Sequence, residues 1–155
     1  MENLSVQLQA SILKLKEKLN ARAVVLLDPT YLKGEASEIT GIKTPEVVLS
    51  LEQLTEYITE FAAITKGFLK NIRIDDDTAP RTVYLSTEDR RVYLFHFFVK
   101  PKLAKKQFSV YLGLTVKKDL DAIKKGKENP WEIPQYVFDN AWECIKDIQE
   151  IYSRN

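Results

Sequence analysis

Val92-Tyr93-Leu94-Phe95-His96-Phe97-Phe98-Val99 is apolar at every position except His96. A strand with one wet face alternates apolar and polar residues, so an unbroken apolar run predicts a strand covered on both faces. The run therefore predicts the middle layer of a three-layer α/β/α architecture. Its neighbours extend the pattern. Upstream, Thr82-Val83-Tyr84-Leu85-Ser86 has strand composition and is joined to it by the polar Thr87-Glu88-Asp89-Arg90, a connection of hairpin length. Downstream, the basic stretch Lys100-Pro101-Lys102-Leu103-Ala104-Lys105-Lys106 leads into Phe108, Val110, Leu112, Leu114 and Val116. These alternate with Ser109, Tyr111, Gly113 and Thr115. That alternation predicts a third consecutive strand.

Further out, Leu4, Leu8, Ile12, Leu15 and Leu19 recur at spacings of three and four, the stripe of an amphipathic helix ending near Asn20. Ala23-Val24-Val25-Leu26-Leu27 then reads as a buried strand, halted by Asp28-Pro29. Gly34 to Thr40 carries only Ala36 and Ile39 among polar neighbours, which predicts an edge strand over 35–39, with Gly41 to Val48 as a connection. Ser50-Leu51-Glu52-Gln53 has the form of a capping box, the side-chain arrangement that satisfies free amides at a helix start. Leu51, Leu54, Ile58, Phe61, Thr65 and Phe68 follow at helical spacing, and the Asp75-to-Pro80 turn should end that helix. Near the carboxy terminus, Asp119 caps a short helix that Gly126 stops. Pro134 opens a last helix with Phe138, Ala141, Ile145, Ile148 and Tyr152 on one stripe. Assigning fully apolar runs to the middle of a sheet and mixed ones to its edges gives an α+β fold with a five-stranded antiparallel sheet ordered 2-1-5-4-3.

At this point the chain resembles the roadblock/dynein light chain family, whose profilin-like sheet lies between helices in the same element order. The resemblance is carried by Leu15-Lys16-Glu17-Lys18-Leu19-Asn20-Ala21-Arg22-Ala23-Val24-Val25-Leu26-Leu27-Asp28, a helix running into an apolar strand that closes on an aspartate. It continues through the helix begun at Ser50 and the strand triplet, over roughly residues 10–125. The tight glycine turn usual after that aspartate is replaced here by Asp28-Pro29-Thr30-Tyr31-Leu32-Lys33-Gly34, and the last helix lies outside the family core. The expected organisation is a roadblock-like domain over 1–127 with a helical extension, 128–155, packed on it. What the resemblance implies is a non-enzymatic dimeric scaffold or regulator, paired through the helix begun at Ser50 and the third strand. Its partner would be a small Ras-like GTPase or a motor or scaffold subunit.

The residues give a separate reason to expect pairing. The third strand is an expected edge, yet Val83, Tyr84 and Leu85 lack the charges that usually protect one. Leu54, Ile58, Phe61, Thr65, Val83 and Leu85 are therefore the candidate dimer interface, set against the plainer reading that they face their own sheet. Lys102, Lys105, Lys106, Trp131 and Trp142 are candidate docking residues, tryptophan being enriched at binding hot spots. A competing assignment is a small-ligand sensory domain of GAF or PAS type, with a pocket beside Tyr93, Phe95 and Phe97.

Composition narrows the remaining chemistry. The chain has 155 residues, 45% hydrophobic and 29% charged, with a net charge of +1, which fits one soluble domain and argues against a whole-molecule polyanion binder. Nothing in the sequence reads as a signal peptide or a membrane span, so a cytoplasmic location is expected. Cys144 is the single cysteine, which leaves no internal disulfide and no cysteine-rich zinc site. His96 is the single histidine and sits in the apolar run, as expected of a packed or hydrogen-bonded structural residue. Asp75, Asp76 and Asp77 lack the alternate-position ligands and the glycine of a calcium loop, because Ala79 and Pro80 follow. No phosphate-cradling glycine loop or dinucleotide fingerprint is present. No catalytic, cofactor or metal residue is therefore assigned. Charge is uneven along the chain. Residues 100–127 hold nine lysines against Asp119 and Asp121, and residues 128–155 hold six acids against Lys146 and Arg154. The expectation is a solvated basic surface partly neutralised by the acidic last helix, with nucleic acid an unfavoured partner.

Overall fold

The apolar stripe on the first helix, α1 (Leu4–Leu19), buries Leu8, Ile12, Leu15 and Leu19, with Ile12 wholly removed from solvent. Asn3 caps its start, its Oδ1 accepting from the Val6 amide at 2.8 Å. Asn20 ends it at φ 49°, a left-handed conformation that asparagine tolerates better than most residues. The computed structural model describes residues 3–27, 41–45, 47–48, 50, 53, 56, 60, 63, 82–130 and 134–155.

The strands are β1 (Ala23–Leu27), β2 (Gly41–Lys43), β3 (Thr82–Ser86), β4 (Arg90–Val99) and β5 (Phe108–Lys117), followed by helices α2 (Leu120–Lys124) and α3 (Gln135–Arg154). The four longer strands form an antiparallel sheet in the order β1-β5-β4-β3, and the three-residue β2 adds to the outer side of β1. The strand order matches expectation, with one strand formed by residues read from sequence as a connection. The expected strand at 35–39 lies outside the described residues. Gly41–Lys43, read from sequence as part of a connection, instead pairs with Val25–Leu27. Thr44 anchors it there. Its Oγ1 accepts from the Val24 amide at 3.1 Å and its own amide donates to the Val24 carbonyl at 3.1 Å, with Thr44 only 1% exposed. A three-residue strand is too short to show an alternation, so no period could have marked it.

The register sorts side chains to two faces. Val24, Leu26, Tyr93, Phe95, Phe97, Val99, Val110, Leu112 and Leu114 share one face and are all buried. α1 and α3 pack together over it, α3 contributing Val137, Ala141, Cys144, Ile145, Ile148, Ile151 and Tyr152 to the same core. The other face departs from expectation. Val92 and Leu94 are half-buried and Phe98 is 37% exposed, so the apolar run is fully dry on one side only. An unbroken apolar run reports that both faces are apolar; whether each is dry depends on what packs there.

Hairpin and cap chemistry follow the sequence closely. Ser50 and Gln53 form the reciprocal pair of a capping box, Ser50 N donating to Gln53 Oε1 at 3.1 Å and Gln53 N to Ser50 Oγ at 3.2 Å. Gln53, Glu56, Glu60 and Ala63 are helical and exposed. Asp119 Oδ1 accepts from the Ala122 amide at 3.0 Å, and Gly126 sits at φ 70° just past α2. Pro134 precedes the first turn of α3.

Two buried cations lock the β3–β4 end of the sheet. Lys118, 5% exposed, donates from Nζ to Ser86 Oγ at 2.6 Å and to the Thr87 carbonyl, which ties the end of β5 to the β3–β4 turn. Arg91, 2% exposed, places Nη1 2.8 Å from Glu128 Oε1 and donates from Nη2 to the Asn129 carbonyl at 3.4 Å. Burial works against the Arg91 charge, but the hydrogen bond and charge of Glu128 outweigh it and leave its pKa raised.

Candidate interaction surface

Two of the six candidate pairing residues are described, and both lie on β3. This strand is the last in the sheet and pairs only with β4 among the described residues. Val83 is half-buried, Leu85 is 48% exposed, and Thr82 and Ser86 are exposed. Leu54, Ile58, Phe61 and Thr65 lie outside the described residues. Val83 and Leu85 share the sheet face with Val92 and Leu94, the face that is left half-buried. The outer side of β3 therefore joins backbone groups without a strand partner among the described residues to an apolar, uncharged flank, which is the composition of an edge open to another strand.

A groove of about 610 Å³ borders the same edge on its helical side, running from Thr82 past Phe95 and Phe97 to Phe138 and Trp142 of α3. Trp142 is 55% exposed, with the Lys146 ammonium 5.4 Å from its ring centre. Trp131 lies outside the described residues. The aromatics proposed for a sensory pocket are spent on packing. Tyr93 and Phe95 are buried, and each meets the edge of Phe138 at 5.9 Å between ring centres. Tyr93 is thus occupied core, while Phe95 and Phe97 pack in the core and also border the groove.

The remaining chemistry is structural in form. His96 is 8% exposed, its Nε2 lies 3.0 Å from Ser109 Oγ, and its ring stacks on Tyr111 at 4.9 Å. Burial pushes the Tyr111 hydroxyl up, and it also pushes up the Cys144 thiol, which Ser11 partly offsets. Tyr93 is driven further, to about 12, by burial first and by neighbouring Tyr84, with Arg91 opposing. The Tyr84 and Tyr93 hydroxyls and Arg91 Nε lack hydrogen-bond partners among the described residues. No group of three or more His, Cys, Asp or Glu suited to a metal occurs among the described residues. No helix among them is long and apolar enough to cross a membrane.

Charge is distributed otherwise than expected. The lysines of residues 100–127 divide between the two ends of β5, about 30 Å apart at the rise of an extended strand. Lys102, Lys105 and Lys106 are exposed on the β4–β5 loop. Glu143 of α3 pairs with Lys18 of α1 at 3.4 Å, and none of the described ion pairs joins α3 to that loop. The helix packs across the sheet and beside α1, where Glu143 meets Lys18.

No protein-family model matches the chain and no curated protein matches it in sequence. Solved structures do match in fold. MglB of Myxococcus xanthus is 13% identical, with a TM-score of 0.63, covering 99% of this chain and 93% of that one. The gliding protein MglB from Thermus thermophilus is 11% identical, with a TM-score of 0.60 and coverage of 100% and 95%. An MglB with a tetrameric arrangement is 12% identical, with a TM-score of 0.59 and coverage of 99% and 93%. The fold is therefore that of the roadblock/profilin-like MglB structures, as the resemblance over roughly residues 10–125 implies, and the likeness takes in the last helix as well.

Proposed function

We propose that this chain is a non-enzymatic, cytoplasmic scaffold or regulator that pairs with a second copy of itself and docks a small Ras-like GTPase or a motor or scaffold subunit. The observation that carries the reading is β3, a sheet edge without a charged residue that exposes nearly half of Leu85. The roadblock-like fold and the MglB likeness support the same general kind of protein. Two copies would lay β3 against β3, continuing the sheet and covering Val83 and Leu85, with Leu54, Ile58, Phe61 and Thr65 proposed for the same interface. The groove beside Trp142 is the proposed surface for the second partner.

Light scattering after size exclusion tests the pairing. The native chain is expected to run at twice its 17.9 kDa mass, and Leu85→Lys at the single mass with an unchanged circular dichroism spectrum. A native chain that stays at the single mass at high micromolar concentration would overturn the dimer. Capture assays with Ras-like GTPases loaded with GDP or a GTP analogue test the docking role, with Trp142→Ala expected to weaken retention.

A further inference from the structure

The eight-residue connection between β4 and β5 combines two properties that neither the core nor the β3 edge requires. It carries Lys100, Lys102, Lys105 and Lys106, all exposed, and at its tip Leu103 is 94% exposed. Pro101 and Ala104 are half-buried, and the Ala104 amide donates to the Pro101 carbonyl at 3.0 Å, closing a tight turn that holds Lys102 and Leu103 outward. No aspartate or glutamate occurs between Asp89 and Asp119, so the whole β4–β5 hairpin is without a carboxylate of its own. α3 reaches this end of β4 through Gln149, whose Nε2 donates to the Phe98 carbonyl at 3.0 Å, and Glu150 is the acid beside it in the chain. Among the described residues no carboxylate forms an ion pair with any of these four lysines.

We propose that this loop docks on an anionic lipid surface. A single exposed leucine is ordinary, but one at the apex of a convex turn with two lysines on either side has the form of an interfacial anchor. The isobutyl group enters the headgroup boundary while the lysine stems lie along it and their ammonium groups meet lipid phosphate and carboxylate. The shape disfavours an acidic peptide, which needs a groove to hold it. Among residues 100–107 there is no aromatic ring to stack a base, which disfavours single-stranded nucleic acid.

Co-sedimentation of the full chain with phosphatidylcholine vesicles, with and without 30% phosphatidylserine, tests this at about 0.1 M salt. Binding is expected to the serine-containing vesicles only, and to weaken as salt rises. Each lysine near such a surface is worth about fivefold in affinity, so Lys105→Ala/Lys106→Ala is expected to lose about 25-fold. Leu103→Ser should also weaken binding, while Lys124→Ala/Lys125→Ala at the far end of β5 should leave it unchanged. These side chains are exposed, so thermal melts should match the parent. Failure to bind the anionic vesicles, equal loss in the far-end variant, or equal binding to polyglutamate or single-stranded RNA without dependence on Leu103 would each overturn the proposal.

Discussion

Removing the Glu128 carboxylate should unfold this protein several degrees earlier than its partly exposed position suggests. Glu128→Ala leaves the Arg91 guanidinium in a residue 2% exposed, with the Asn129 carbonyl at 3.4 Å from Nη2 and the Tyr84 side chain nearby but no carboxylate against it among the described residues. Breaking a buried ion pair from one side costs about 3–5 kcal/mol, because the surviving charge stays desolvated. The Glu128 side chain is 28% exposed, so water can reach part of the vacated site, and the expected loss is near the low end, about 3 kcal/mol. For a chain of this length each kcal/mol shifts Tm by about 2–4 °C, which gives a fall of about 6–12 °C. Urea unfolding followed by circular dichroism reads the same loss in free energy, with the slope against denaturant unchanged. Asp121→Ala provides the contrast. It breaks the Lys125–Asp121 pair at 3.0 Å, whose side chains are 59% and 76% exposed, and should change stability by less than about 1 kcal/mol. Adding Arg91→Met to Glu128→Ala should recover part of the loss, since the stranded charge is then gone. A Glu128→Ala variant within about 0.5 kcal/mol of the parent, or a double variant no better than the single, would refute the argument that this pair holds the segment after α2 to the sheet.

Two further outcomes follow from buried polar groups. Thr44→Val keeps the shape of the side chain but removes the acceptor for the Val24 amide, a residue with no solvent exposure, and should cost about 1–3 kcal/mol by urea unfolding. Tyr93 holds its proton to about 12, whereas an unfolded tyrosine releases it near 10, so stability is unaffected below about pH 10 and falls between 10 and 12. Tyr93→Phe lacks that loss, so its unfolding free energy should gain on the parent's by up to about 3 kcal/mol across that interval; a gap constant with pH would contradict the raised value.

How much of this was legible in the sequence depends on the range of the interaction concerned. The helix caps at Ser50 and Asp119, the stop at Asn20 and the β3–β4 turn rest on contacts within a few residues, and local pattern is enough to identify them. The unprotected β3 edge was legible as well, because the absence of charge is a property of composition. Gly41–Lys43 was read as a connection because its strand identity comes from Thr44 bonding to Val24, twenty residues away. The Arg91–Glu128 pair gave no signal, since residues separated by more than thirty positions meet only when the chain after α2 folds back on β4. The same holds for the lysines of residues 100–127, which look like one basic block on paper and occupy opposite ends of a strand in space.

By itself the sequence determined the order of the four longer strands and the places of the first and last helices, because alternation, helical spacing and capping act over short stretches of backbone and few topologies satisfy them together. Only the tertiary structure decided which apolar face is dry, which charges meet and which stand alone at a loop tip. Burial and pairing are properties of neighbours in space, and a linear pattern carries no term for the distance between them.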